Sequence, residues 1–175
     1  MMSNYTWPSH FSTVFEATRS WYRTTTRSGN PIPAVDLQFL ASIGCSEQEL
    51  MDLVEDHAQG GDPSYETTLL MTAVRRDYFL TIQKGQQSTK NIDMSLLPAK
   101  TAVLAGFAWL PRIIQKAEAK LRGEMPKELM YCCGGDRAFL RSVNIHPADF
   151  LRQIWSARGD QEKIINYVKT QAGKA

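Results

Sequence analysis

The chain has 175 residues, 43% hydrophobic and 22% charged, with a formal net charge of +2. Those shares exclude a disordered or fibrous protein, and the length allows one substantial core or two small ones. The longest apolar run, residues 101–111, is too short for a bilayer and is followed at once by Arg112, so no membrane span is expected.

No lysine or arginine precedes Arg19 and no apolar stretch opens the chain, which argues against a secretory signal and for the cytoplasm. The cysteines, Cys45, Cys132 and Cys133, are odd in number, and the last two are vicinal, a poor geometry for a mutual bridge. A reducing compartment fits both facts. Residues 1–88 carry 6 basic and 10 acidic side chains, a net of −4, whereas residues 89–175 carry 14 and 8, a net of +6. Opposite signs favour docking of the halves, or an anionic ligand on the second, over general nucleic-acid binding, which needs one strongly basic face.

In chain order, residues 10–27 read as a helix with Val14, Ala17, Thr18 and Trp21 on one stripe. A second helix covers residues 34–43. Ser46 and Glu49 form a capping box that opens a third, ended by Gly60 and Gly61. Pro63 stands in the first turn of a long helix reaching about Gln83. Residues 85–100, rich in Gly, Gln, Ser and Asn, read as a linker between a first unit (1–84) and a second (101–175). Residues 101–110 open a second set of helices and read as buried on all sides, and Pro111 restarts a helix with the stripe Ile114, Ala117, Leu121. Helices over 136–143, 147–157 and 161–170 follow, the last capped by Asp160. No hairpin signal is evident, so the expected fold is all-α.

The two units also resemble each other. Asp36, Phe39, Leu40 and Ser42 recur as Asp136, Phe139, Leu140 and Ser142, with Ile43 matched by Val143. The apolar stripes on either side keep the same register, which points to an internal duplication packed into one compact helical bundle. Phe39, Leu40, Phe139 and Leu140 belong in its core, and Leu140→Ala should cost about 2–5 kcal/mol.

The most distinctive stretch of the second unit runs from Trp109, Leu110, Pro111 and Arg112 through Lys116 and Ala117 to Asp136, Phe139 and Leu140. Over residues 101–170 it resembles a bacterial family, the domain of unknown function numbered 5069, whose members carry a Leu-Pro-Arg helix start followed downstream by Asp-x-x-Phe-Leu. The resemblance implies no activity. Members approach the aspartate through a Cys-Pro-Leu-Asp-like string, whereas this chain has Cys132, Cys133, Gly134 and Gly135 before Asp136, which implies a differently shaped loop.

The residues read as a candidate ligand site are Trp109, Arg112, Lys116, Cys132, Cys133, Gly134, Gly135, Asp136 and Arg137. Arg112, Lys116 and Lys120 share a helix face, either as a solvated stripe or as an anion or carboxylate site. Lys120→Ala is expected to be nearly neutral. Asp136 after two glycines is expected to cap its helix. Arg112, in a first helical turn that favours negative charge, is expected to reach Asp136 or a bound anion. Cys132 and Cys133 before that helix make thiol chemistry conceivable, but His10, His57 and His146 are scattered without the spacing of a catalytic base or zinc site. No nucleotide fingerprint is present, so no cofactor or metal is expected. The leading expectation is a binding module holding an anionic small molecule or a partner segment between the halves. The alternatives are an enzyme using acid–base or thiol chemistry at Cys132, Cys133 and Asp136, and, behind it, a DNA-binding helix pair.

Overall fold

The structure, a computed structural model, describes residues 4–24 and 29–174. Among them it is helical apart from one small hairpin. The elements are α1 (Trp7–Tyr22), α2 (Ala34–Ser42), α3 (Glu47–Gly60), α4 (Tyr65–Thr81), a 3-10 turn at Met94–Leu96, β1 (Val103–Leu104), β2 (Phe107–Ala108), α5 (Leu110–Arg122), α6 (Gly134–Ser142), α7 (Pro147–Ala157) and α8 (Gln161–Gln171). No helix of the described residues is long and apolar enough to cross a membrane.

The caps explain several boundaries. Ser46 accepts from the Glu49 amide and Asp160 from the Lys163 amide, satisfying first-turn donors that the helix itself leaves free. Gly61 and Gly123 end α3 and α5 in the left-handed conformation that glycine adopts without a Cβ penalty. The first helix stops at Tyr22, just past the last residue of its apolar stripe, and the expected continuation over 25–27 lies outside the described residues.

Two local expectations are corrected. Pro63 precedes the helix, because Ser64 takes the cap of α4 and accepts from Thr67. Within residues 101–110 the chain forms a hairpin, with Val103 opposite Ala108 and Leu104 opposite Phe107. Its turn is Ala105 and Gly106, both at positive φ (49° and 84°), the backbone of a two-residue hairpin loop. Phe107 is buried and Val103 is exposed, so the run is not buried all round.

Two apolar clusters share a seam. One gathers Phe11, Phe15, Phe39, Leu40, Leu50 and Val54, and the other Ile113, Ala117, Phe139, Leu140, Phe150 and Leu151. Helix α3 serves both, with Leu50 and Val54 in the first and Leu53 in the second. Helix α4 also bridges them: Leu69 leans on the first, while Met71 and Val74 lie in the second. The segment between α4 and β1 is tied to the second half by Ile92 N–H to Glu124 O (3.0 Å) and Ser88 Oγ to Glu124 Oε1 (2.9 Å).

Helices α2 and α6 have the same bounds 100 residues apart, 34–42 and 134–142. Their details agree as well. Ser42 and Ser142 donate to Phe39 O (2.6 Å) and Phe139 O (2.7 Å). The amides of Cys45 and Ile145 donate to Leu40 O (3.0 Å) and Leu140 O (2.9 Å).

Candidate functional site

Helix α5 carries the polar chemistry of the interior. Lys116 and Lys120, one turn apart on the same face, are 1% and 3% exposed. The solvated-stripe reading is therefore corrected: both ammonium groups point into the protein and each finds a carboxylate. Lys116 pairs with Asp136, and Lys120 with Glu49 of α3. An unpaired buried charge is costly, so these partners are what permit lysine there.

Asp136 is fully buried and is not the cap of α6; Cys133 occupies that position and Asp136 lies two residues inside the helix. From there its carboxylate reaches back, as a third-position acid can. Its Oδ2 accepts from the Cys132 amide (2.9 Å) and from Lys116, and its Oδ1 from the Trp109 indole (2.9 Å). Lys116 Nζ also donates to Cys133 Sγ at 3.2 Å. The Trp109 ring lies so close to Gly135 that a Cβ there would stand 2.4 Å from it, while Gly134 meets nothing nearer than Arg137 at 3.9 Å. Trp109, Lys116, Cys132, Cys133, Gly135 and Asp136 thus form one matched cluster.

Arg112 does not join it. Its guanidinium donates to Pro98 O at 2.8 Å. Side chains lean toward the N-terminus of their helix, so the long Arg112 chain projects back past the start of α5 and leaves Asp136 to Lys116, one turn on. A carbonyl oxygen supplies the negative partner that a cation in a first helical turn needs.

Arg137 faces the first half, binding Asp56 (2.7 Å), Asp62 (2.9 Å) and Cys132 O (2.6 Å). Arg141 also reaches Asp62 at 2.6 Å. Among the described residues, each ion pair between the halves joins a base of the second to an acid of the first, as their opposite net charges lead one to expect. Burial pushes the Cys132 thiol up to about 12, which disfavours the thiolate a nucleophile requires.

A cavity of about 260 Å³ opens elsewhere in the seam, between α3, α4, the end of α5 and the following loop. Arg75, Lys120, Glu49 and Gly123 line it, with apolar Leu53, Met125, Leu129 and Met130. Arg75 is its unusual member. It is 1% exposed, and its Nη1 donates to Gln83 Oε1 (2.8 Å), but its Nε has no partner. Among the described residues no carboxylate lies within ion-pair distance of it. Burial lowers the pKa of this guanidinium, against the more distant charge of Glu49. Gly123 makes room for it: a Cβ there would sit 2.5 Å from Arg75 Nη2.

Sequence reasoning missed Arg75, which reads as a surface residue beside Arg76 and Asp77. The available signal was its register, because Thr68, Met71, Thr72, Arg75 and Phe79 form the buried stripe of α4.

Residues 96–175 match the family described as Domain of unknown function (DUF5069). Neither a curated protein nor a solved structure matches the chain.

Proposed function

We propose that the protein, whose residues 96–175 match the DUF5069 family, is a small binding module that holds an anionic small molecule on Arg75, in the cavity between its halves. The observation that carries this reading is a buried guanidinium with no carboxylate beside it and an unpartnered Nε. A buried cation without a counter-ion is destabilising, and a bound anion relieves that cost. The volume suits a small molecule, not a partner segment. The Trp109–Lys116–Asp136 cluster then has a supporting role: Asp136 pins the Cys132 amide, and the chain just before it, through Tyr131, lines the cavity.

The shared bounds of α2 and α6 support reading the halves as diverged copies. In each, the aspartate at the third helical position bonds a residue of the preceding long helix, His10 for Asp36 (3.0 Å) and Lys116 for Asp136. Unbridged cysteines favour the cytoplasm as the compartment.

Thermal unfolding tests the binding reading. At fixed ionic strength, acetate, sulfate or phosphate should raise Tm above a chloride control, because a ligand at about 100 times its Kd stabilises by about 2.7 kcal/mol. The rise should vanish in Arg75→Gln. No oxyanion outperforming chloride would contradict the reading.

A further inference from the structure

Arg75 lines the cavity with a guanidinium that is only partly hydrogen-bonded. Gln83 occupies Nη1, leaving Nε and Nη2 without hydrogen bonds among the described residues. Nε is enclosed by protein, so Nη2 is the donor left for an anionic oxygen.

Charge limits the anion to one unit. Lys120, the other buried cation of the cavity wall, is committed to Glu49, and Asp52 adds a second acid to the same wall. With Lys127 the wall holds three cations, Arg75, Lys120 and Lys127, against two carboxylates, Glu49 and Asp52, which leaves one net positive charge for an anion.

The wall also carries apolar Leu53, Met125, Leu129 and Met130, among polar Ser46, Gln48, Gln87 and Asn91. Methionines adapt to ligand shape. The volume of about 260 Å³ exceeds the ~150 Å³ of a cavity that accepts benzene, which leaves room for one ring, or a chain of similar size, and a carboxylate.

We infer that the cavity takes an organic monocarboxylate with a compact apolar body, its carboxylate against Arg75 Nη2 and its body against Leu53, Leu129 and Met130. This rests on the anion-binding reading above and adds the ligand's class.

Calorimetric titration of the full chain with phenylacetate, phenylacetamide, acetate and inorganic phosphate tests it. Phenylacetate should bind at least about ten-fold tighter than each of the other three, since the amide lacks the charge, acetate the body, and phosphate the matching charge. Arg75→Gln should abolish phenylacetate binding. Should that variant fail to fold, Met130→Trp, which fills the cavity from a half-buried loop position, should weaken phenylacetate at least about ten-fold with little change in Tm. Equal binding of phenylacetate and its amide would overturn the inference. Phosphate binding tighter than phenylacetate, and lost in Arg75→Gln, would overturn the monocarboxylate and keep the anion site. No Arg75-dependent binding of any anion would overturn both.

Discussion

Lys116 and Asp136 meet where water does not reach, at 1% and 0% exposure, so each is the condition for the other's charge. Removing one partner of a buried pair costs about 3–5 kcal/mol, much of it the cost of stranding the other charge. Lys116→Met and Asp136→Asn should each destabilise strongly, and the double variant should lose less than the sum. Urea denaturation of the four proteins should give a coupling energy of about 1–3 kcal/mol. Strictly additive losses would show that the two charges do not depend on each other.

Lys120 is a structural residue for the same reason, contrary to its appearance as a surface lysine. Lys120→Met strands Glu49, whose side chain keeps 18% exposure. The loss should be about 2–3 kcal/mol, less than for a fully buried pair. Lys163→Ala, whose side chain is 66% exposed, should change stability by no more than about 0.5 kcal/mol. Equal denaturation midpoints would place Lys120 in water.

The two glycines before Asp136 should behave differently. Gly134 has open space and helical backbone, so Gly134→Ala should hold stability or raise it by about 0.4–1 kcal/mol. Gly135→Ala sets a methyl 2.4 Å from the Trp109 ring. It should cost about 1–3 kcal/mol and disturb the tryptophan fluorescence. Similar behaviour of the two variants would contradict the packing of Trp109 on Gly135.

Burial gives alkaline pH a specific effect. The Cys132 thiol is raised from 9.0 to about 12 in the folded protein. Above the unfolded pKa the unfolded chain loses the proton that the folded chain keeps, so stability falls as pH rises. The loss begins near pH 9.0 and ends near 12, with a slope of up to about 1.4 kcal/mol per pH unit. Denaturation of wild type and Cys132→Ala across that window should show the shallower fall in the variant. Parallel curves would mean that Cys132 is not shielded.

Most of the helices were legible because their signals are local. Ser46 with Glu49, Asp160 and the glycines at the ends of α3 and α5 mark boundaries through hydrogen bonds that span only a few residues. The hairpin escaped because Ala105 takes positive φ without being glycine or asparagine, and the apolar residues around it mask the turn. At the candidate site, the basic stripe of α5 and Asp136 were visible as a possible ion pair. Which base reaches Asp136 was not, since that depends on the lean of side chains on α5 against the position of α6. Arg75 was hidden for a related reason. Its buried register is written in the sequence, but the lack of a carboxylate beside it becomes apparent only once α3, α4 and α5 are packed.

The state of Arg75 Nε can be observed directly. Proton–nitrogen correlation spectra tuned to arginine side chains should resolve an Arg75 Nε–H signal, assigned by its loss in Arg75→Gln. Acetate or phenylacetate at fixed ionic strength should move that signal saturably, because a carboxylate bound beside the guanidinium changes the field at Nε. A signal that stays in place through the titration while exposed arginines such as Arg141 respond would contradict anion binding at Arg75.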